Sequence, residues 1–257
     1  MVAGVLAGAA SGLFGVGGGV VVVPALVVLA AFPHKLATGT SLTAIVPISV
    51  AATAGYALDG EVNWAVAALV AAGGLVGAFF GTRYLRTMRA PLLQALFGAF
   101  MILTAVRLVL GADGDGSGLV DLTWSSGAGL VLLGVMSGVL AGLFGVGGGT
   151  VIVPALTIVF GAPLVLAKGT SLAVIVPTSI MGTWRNQRAG LTSLRAGLLI
   201  GLAGVLAALG AARVSLGLDP KLSAALFAGL LVVMAVRMIR ESRAAARSEP
   251  FSGGDGS

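Results

Sequence analysis

The sequence predicts an all-α polytopic membrane protein built from two inverted-topology repeats. Of its 257 residues, 58% are hydrophobic and only 9% are charged, against about 25% charged in an ordinary soluble domain. Apolar stretches long enough to cross a hydrocarbon core of about 30 Å recur along the whole chain. In addition, the second half of the chain repeats the first.

The repeat is visible without gaps when the sequence is shifted so that Gly12 lies over Gly142. GLFGVGGGVVVVPAL at 12–26 then matches GLFGVGGGTVIVPAL at 142–156, and ATGTSLTAIVPIS from residue 37 matches AKGTSLAVIVPTS from residue 167. The predicted units are a first repeat at 1–110, a linker at 111–126, a second repeat at 127–240 and a disordered cytoplasmic tail at 241–257.

Each repeat divides into one long apolar segment and three ordinary spans. The long segments cover 1–32 and 127–160. As one straight helix the first would extend about 48 Å, whereas two full spans would need about 40 residues. A hairpin of two short helices, broken at the glycine-rich run, satisfies both limits. The ordinary spans are expected at 37–57, 63–81, 92–110, 166–184, 194–212 and 222–239.

Loop charges predict how the repeats are oriented. Two carboxylates make the loop at 58–62 acidic, whereas the equivalent loop at 185–193 carries Arg185 and Arg188. Basic loops face the cytoplasm, so these two loops lie on opposite sides and each repeat crosses the membrane an odd number of times. The result is an inverted repeat with both termini cytoplasmic; a parallel repeat is the alternative. The basic residues that do not fit are Lys168, Arg213 and Lys221.

Composition excludes several classes of function. The net charge of +6 lies mostly in loops and at the C-terminus, where it fits membrane orientation rather than a nucleic-acid surface. The absence of cysteine excludes disulfides, thiol catalysis and cysteine-ligated metals. All nine carboxylates lie in loops, the linker or the tail, which argues against an enzyme, a cofactor site or a cation pump.

The glycine-rich breaks are predicted to form an anion site. Non-helical backbone survives in a membrane only where it is buried in protein or lines a polar cavity. Such a break leaves N–H groups free, and the restarting helix adds the positive end of its dipole. Broken helices of inverted repeats bind substrate near the midplane. The candidates are Gly17, Gly18, Gly19, Gly147, Gly148 and Gly149. Close helix packing is the alternative, and is expected at Gly73, Gly74, Gly77, Gly81, Gly197, Gly201 and Gly204.

The repeated GTSL element opens the following span and adds hydroxyl groups to the candidate site. These side chains are good N-caps, but they are also neutral donors suited to an oxyanion. Lys168 replaces Thr38 of the first repeat. It either snorkels to the interface or attracts anions at the mouth of an anion path. The further candidates for substrate binding are Thr40, Ser41, Lys168, Thr170 and Ser171.

The paired GLFGVGGG…VPAL and GTSL…VP blocks resemble the TauE/SafE sulfite exporter family, also called the toluene sulfonate uptake permease family. The resemblance covers essentially the whole chain. It implies a bacterial inner-membrane transporter of sulfite or organosulfur anions such as sulfonates and sulfoacetate. Its partners would be a small anion and the lipid bilayer, without nucleic acid, and the chain could form a homodimer.

Energetics favour export by a secondary transporter that works by alternating access around a midplane site. With the cell interior negative, an anion gains about 2.3 kcal/mol per charge per 100 mV on leaving. An anion channel and an importer of sulfonates are the alternatives.

Overall fold

The computed structural model describes residues 1–84, 99, 101–103, 105–107 and 124–248, and these are helical without any strand, which confirms the all-α prediction. Short helical pieces at 99, 101–103 and 105–107 fall within the predicted span at 92–110; the rest of that span and most of the linker lie outside the described residues. The helices are α1 (Val2–Phe14), α2 (Gly19–Leu29), α3 (His34–Ala57), α4 (Trp64–Tyr84), α5 (Trp124–Phe144), α6 (Gly149–Ile158), α7 (Leu164–Arg188), α8 (Leu194–Gly217) and α9 (Pro220–Ser248).

Each hairpin is broken at its glycine-rich run, as predicted. Gly17 and Gly18, between α1 and α2, have φ angles of 81° and 78°. Gly147 and Gly148, between α5 and α6, have φ angles of 87° and 81°. A residue with a Cβ loses roughly 1–2 kcal/mol in this left-handed region. Glycine is therefore required here by the backbone conformation itself.

The prediction that GTSL opens a helix is wrong. α3 begins at His34 after Pro33, and α7 begins at Leu164 after Pro163. Proline has no N–H to lose at a helix start and its fixed φ suits that position. No helix breaker separates these prolines from GTSL, so each helix runs straight through it. The threonine and serine side chains are then free for tertiary contacts.

The C-terminal helix is longer than the predicted end of the second repeat. α9 continues through Ser248, so residues 241–248 of the predicted tail are helical. Alanine, arginine and glutamate dominate this stretch, and all three favour helix. Residues 249–257 lie outside the described part of the chain, where the disordered tail stays a prediction.

Glycines let helices of the two halves lie directly against each other. Along α1 and α8 the facing pairs are Gly4 with Ile200, Gly8 with Gly204 and Gly12 with Ala208. Both numbers rise together, so α1 and α8 run parallel. The equivalent helices make the same contact, because Gly134 and Gly138 of α5 face Val70 and Gly74 of α4.

The glycines assigned to close packing do serve that purpose. A Cβ on Gly197 would meet Thr43 and the Thr40 carbonyl, and one on Gly201 would meet Ala44, so α3 and α8 also run parallel. Contacts with a neighbouring helix confirm the packing prediction at Gly73, Gly74, Gly77, Gly197, Gly201 and Gly204. Gly81 stays a prediction.

The exterior of the helices is apolar. Leu206 on α8 and Val233 on α9 are 80% and 64% exposed, whereas Ile45 at the centre is fully buried. Within the described ranges, the helices long and apolar enough to cross a membrane are His34–Ala57, Ser126–Phe144, Leu164–Arg188 and Leu194–Gly217. An apolar surface around an interior that contains hydroxyl groups fits a protein surrounded by lipid.

Candidate functional site

The two glycine turns meet each other inside the protein. The Cα of Gly149 packs so closely on the first turn that a Cβ there would lie 2.6 Å from the carbonyl oxygen of Gly15. Gly19 packs in the same way on the carbonyl of Gly145 in the second turn. Real Cβ atoms do not approach that closely. The absence of side chains is therefore what allows the two turns to touch.

Two isoleucines enclose the meeting point. Ile45 of α3 and Ile175 of α7 are fully buried. A Cβ on Gly17 would lie 3.2 Å from Ile175 and 3.3 Å from Ile45, and one on Gly147 would meet the same two side chains. The turns thus lie in an apolar, enclosed environment, where hydrogen bonds are electrostatically stronger than in water.

Main-chain N–H groups around both turns have no acceptor among the described residues. In the described structure, helical hydrogen bonding ends with the amide of Gly15 and resumes with that of Val21; in the second turn it ends at Gly145 and resumes at Val151. The intervening amides at 16–20 and 146–150 find no carbonyl or side-chain partner there, although nearly all of these residues are buried. A buried unsatisfied donor costs about 1–3 kcal/mol and calls for an explanation, such as a ligand.

The serine of each GTSL element donates a hydrogen bond to the glycine turn of the other repeat. Ser41 Oγ donates to the carbonyl oxygen of Gly145 at 2.9 Å, and Ser171 Oγ donates to that of Gly15 at 3.0 Å. These bonds turn the carbonyls toward the serines. They also occupy the hydroxyl protons, so in this conformation the two serines orient the turns rather than offer free donors to an anion.

The threonine of each GTSL element faces a loop instead. Thr40 Oγ1 accepts from the amide of Ser193 at 3.0 Å, and Thr170 Oγ1 accepts from that of Asn63 at 3.0 Å. The preceding glycine of each element packs against the same loop. The structure therefore brings the two serines to the glycine turns but places the two threonines at the loops after α3 and α7.

Lys168 does not snorkel, contrary to the first of its two interpretations. The residue is 1% exposed, and its Nζ donates to Ser223 Oγ at 2.7 Å and to Ser215 Oγ at 3.1 Å. These hydroxyls, on α9 and α8, replace the water that an interfacial lysine would reach. Its backbone packs on Gly15, where an added Cβ would lie 2.7 Å from the Lys168 Cα. Lys168 is thus buried beside the first glycine turn.

Sequence reasoning missed the partners of Lys168. Ser215 also donates to the carbonyl of Leu13 at 3.1 Å, and the buried Tyr56 hydroxyl donates to that of Gly12 at 2.7 Å. Polar residues within otherwise apolar spans were the available signal. Their convergence on the C-terminal end of α1 depends on contacts between distant parts of the chain.

A cavity of about 300 Å³ lies between α3, α7 and α8. Thr43 and Thr183, whose hydroxyls have no hydrogen-bond partner among the described residues, lie in its lining. The guanidinium of Arg188 lies 4.1 Å from the ring of Trp184 beside it. Its lining consists of Thr43, Val46, Ile180, Thr183, Trp184, Gln187, Leu194 and Leu198. Among the described residues, no group of histidine, aspartate and glutamate could hold a metal ion.

Comparisons with known proteins agree with this architecture. The chain matches the family model described as sulfite exporter TauE/SafE over residues 1–108 and 130–255. The probable membrane transporter protein YunE of Bacillus subtilis is 28% identical over 213 residues, which cover 74% of this chain and 78% of YunE. A probable membrane transporter protein of Methanocaldococcus jannaschii is 31% identical over 188 residues, covering 71% of this chain and 69% of its own. No solved structure matches the chain significantly.

Proposed function

The chain belongs to the sulfite exporter TauE/SafE family of membrane transporters, and on that premise we propose that it exports sulfite or small organosulfur anions across the bacterial inner membrane. The anion binds where the two glycine turns meet. Alternating access to that point, as in a secondary transporter, carries it across.

The observation that carries this proposal is the set of buried amides without acceptors at 16–20 and 146–150. They lie on both sides of the contact between the turns, and α2 and α6 begin there with the positive ends of their dipoles. Successive N–H groups in a turn make a concave anion site. Sulfite and sulfonates present several oxygens that share the charge, which suits donors arriving from two directions.

The remaining candidates support this site in different ways. Glycines 17–19 and 147–149 supply the N–H groups. Ser41 and Ser171 hold the carbonyls of the opposite turns, so the amides stay oriented. Thr40 and Thr170 accept hydrogen bonds from the loops after α7 and α3, and so hold those loops in place. Lys168 adds positive charge beside the first turn. Neutral donors bind an anion without a full counter-charge, which favours release as well as capture.

The direction of the helices supports the proposed inversion of the repeats. Leu42 of α3 contacts Gly182 of α7, while Ile45 and Ile175 meet at the turns, so these equivalent helices cross antiparallel. The misfit Arg213 forms an ion pair with Asp59 at 3.5 Å, which offsets its charge on the outer side.

The returning helices support a re-entrant hairpin. α2 has 11 residues and α6 has 10, so they extend about 15–17 Å. Neither can cross a core of about 30 Å. We propose that each hairpin enters the membrane, turns at the glycines and leaves on the side from which it came.

Alanine at the centre of each turn tests the site. Gly17→Ala and Gly147→Ala place a methyl group against flexible isoleucine side chains, so the fold can adjust while the amides are displaced. Losing one hydrogen bond to a charged ligand, about 1.5–3 kcal/mol, lowers affinity roughly tenfold or more. We expect uptake of sulfite, thiosulfate or a sulfonate by proteoliposomes to fall by at least that factor.

Gly60→Ala and Gly190→Ala are the matched controls, because both glycines have positive φ and no neighbouring atom within 4 Å of an added Cβ. They should transport at the normal rate. Full flux in both turn variants would contradict the site. Counterflow of labelled anion should also be observed, since a channel would not show it.

A further inference from the structure

Lys168 is the one charged side chain that is buried among the described residues. No carboxylate of the described ranges lies within ion-pair distance of it. An isolated buried ammonium is costly unless its hydrogen bonds are satisfied. Here two serine hydroxyls satisfy two of its three N–H donors. This residue is thus held in a polar shell that contains no negative charge.

That shell can accommodate the amine in either protonation state. A hydroxyl accepts a hydrogen bond from an ammonium, and it can rotate to donate to a neutral amine. Ser223 Oγ lies 2.7 Å from Nζ, close enough for either arrangement. A carboxylate partner would instead fix the positive charge. Because hydroxyls surround Nζ, this shell is compatible with both the charged and the neutral amine.

The proton on Lys168 lies beside the proposed anion site. The Lys168 backbone packs on Gly15, whose carbonyl accepts from Ser171 and contacts Gly149 of the other turn. Ser215, which accepts from Nζ, donates to the carbonyl of Leu13 at the end of α1. Nζ is thus connected through Ser215 to the end of α1, and the Lys168 backbone packs on the glycine turn that follows.

This arrangement exists in only one repeat. Thr38 stands at the position equivalent to Lys168, and leucines 85 and 93 stand at those equivalent to Ser215 and Ser223. Among the described residues, the buried Tyr56 is a titratable side chain that shares the partner Ser215 with Lys168. Those on the neighbouring surface segments are Asp59, Glu61, Arg213, Asp219 and Lys221. The molecule thus contains a single buried amine of this kind.

We propose that Lys168 is a proton-binding site whose occupancy controls anion binding at the glycine turns. This inference rests on the proposed function. The proton binds to the Nζ lone pair from water, the resulting ammonium raises anion affinity, and bound anion in turn raises proton affinity, since such coupling is reciprocal. The predicted spans contain no carboxylate, so the Lys168 amine takes the role of proton acceptor.

Proton uptake on anion binding tests the proposal. Ethanesulfonate and thiosulfate are suitable probes because both stay fully ionised near neutral pH. Titration calorimetry in buffers of different ionisation enthalpy counts the protons taken up. We expect up to one proton per anion for the wild type, and an affinity that falls by up to about tenfold per pH unit on the alkaline side.

Two variants separate charge from proton exchange. Lys168→Arg keeps a permanent charge, so it should bind anion tightly with no proton uptake and no pH dependence. Lys168→Met should bind weakly, also without pH dependence. If the methionine variant does not fold, the arginine variant still decides. Lys221→Met, which removes an exposed lysine of α9, should behave as wild type.

The outcomes distinguish this inference from the proposed function. Anion binding without proton uptake in the wild type, or unchanged uptake in Lys168→Arg, would overturn the role of Lys168 and leave the glycine site intact. If the wild type binds neither ethanesulfonate nor thiosulfate, the proposed function is contradicted, and this inference with it.

Discussion

The glycine turns are present in both repeats, whereas the polar cluster around Lys168 is present in only one. Contacts at the turns occur in reciprocal pairs: Ser41 fastens the second turn just as Ser171 fastens the first. The polar cluster around Lys168 has no counterpart, because Thr38 occupies the equivalent position. Residues shared by both repeats therefore build the meeting point, whereas residues of one repeat alone give it a charge. The comparison teaches that a duplicated fold can combine a symmetric centre with a polar cluster that belongs to one repeat alone.

The largest effect is expected when a side chain is added where the two glycine turns touch, because this tests whether both repeats contribute equally to the contact. In Gly19→Ala and Gly149→Ala the added Cβ would lie 2.7 Å from the Cα of Val146 and Val16, respectively. The two shortest contacts of each added Cβ are to backbone, which cannot move aside as a side chain can. The strain should therefore reach or exceed the roughly 3 kcal/mol upper range of overpacking. We expect both variants to lose most of their folded protein in detergent, measured by fluorescence-detected size exclusion.

Gly210→Ala is the control for these variants, because an added Cβ on this helical glycine meets nothing within 4 Å. It should be as stable as the wild type or slightly more so. Severe loss in only one of the two turn variants would show that the halves are not equivalent at their contact.

The next effect concerns the serine bonds. Ser41→Ala and Ser171→Ala each leave a buried carbonyl without its donor, which costs about 1–3 kcal/mol. The two variants should lower the melting temperature by similar amounts and slow transport. Ser49→Ala, which removes a bond within its own helix to Ile45, should leave transport unchanged. A slowed Ser49→Ala, or normal transport in the other two, would break the assignment of the serines to the turns.

The smallest effect is expected at the exposed turns. Gly60 and Gly190 are equivalent, with φ angles of 77° and 69°. Alanine there should cost roughly 1 kcal/mol from the left-handed backbone alone, equally in both halves. Chemical denaturation of the two variants measures this. If the stability losses of the two variants differ by more than this roughly 1 kcal/mol, the two loops make contacts that they do not share.

The sequence predicted those features that depend on neighbouring residues in the chain, namely the helix breaks and the close packing of small residues. Three consecutive glycines within apolar sequence indicated the helix breaks, and small residues at helical spacing indicated close packing. The N-cap interpretation of Thr40 is wrong because the helix already starts after Pro33, seven residues earlier. Helix propensity within GTSL could not reveal that.

The environment of Lys168 could not be predicted for a different reason. Its partners Ser215 and Ser223 lie 47 and 55 residues away in the chain, and nothing in the sequence pairs them. The same holds for Ser41 and Gly145, which are 104 residues apart. Such contacts arise from how the helices cross, which depends on packing of the whole molecule.

The reciprocal contact of the turns has a consequence for the origin of the protein. Ser41 contacts Gly145, and their equivalents Ser171 and Gly15 contact each other in the same way. Reciprocal contacts of this kind are typical of the interface of a two-fold symmetric homodimer. A single ancestral repeat, inserted in both orientations, would form this interface with a second copy of itself. Gene fusion then frees positions outside it to diverge. Lys168 marks such a divergence, since it makes the two halves of the chain unequal.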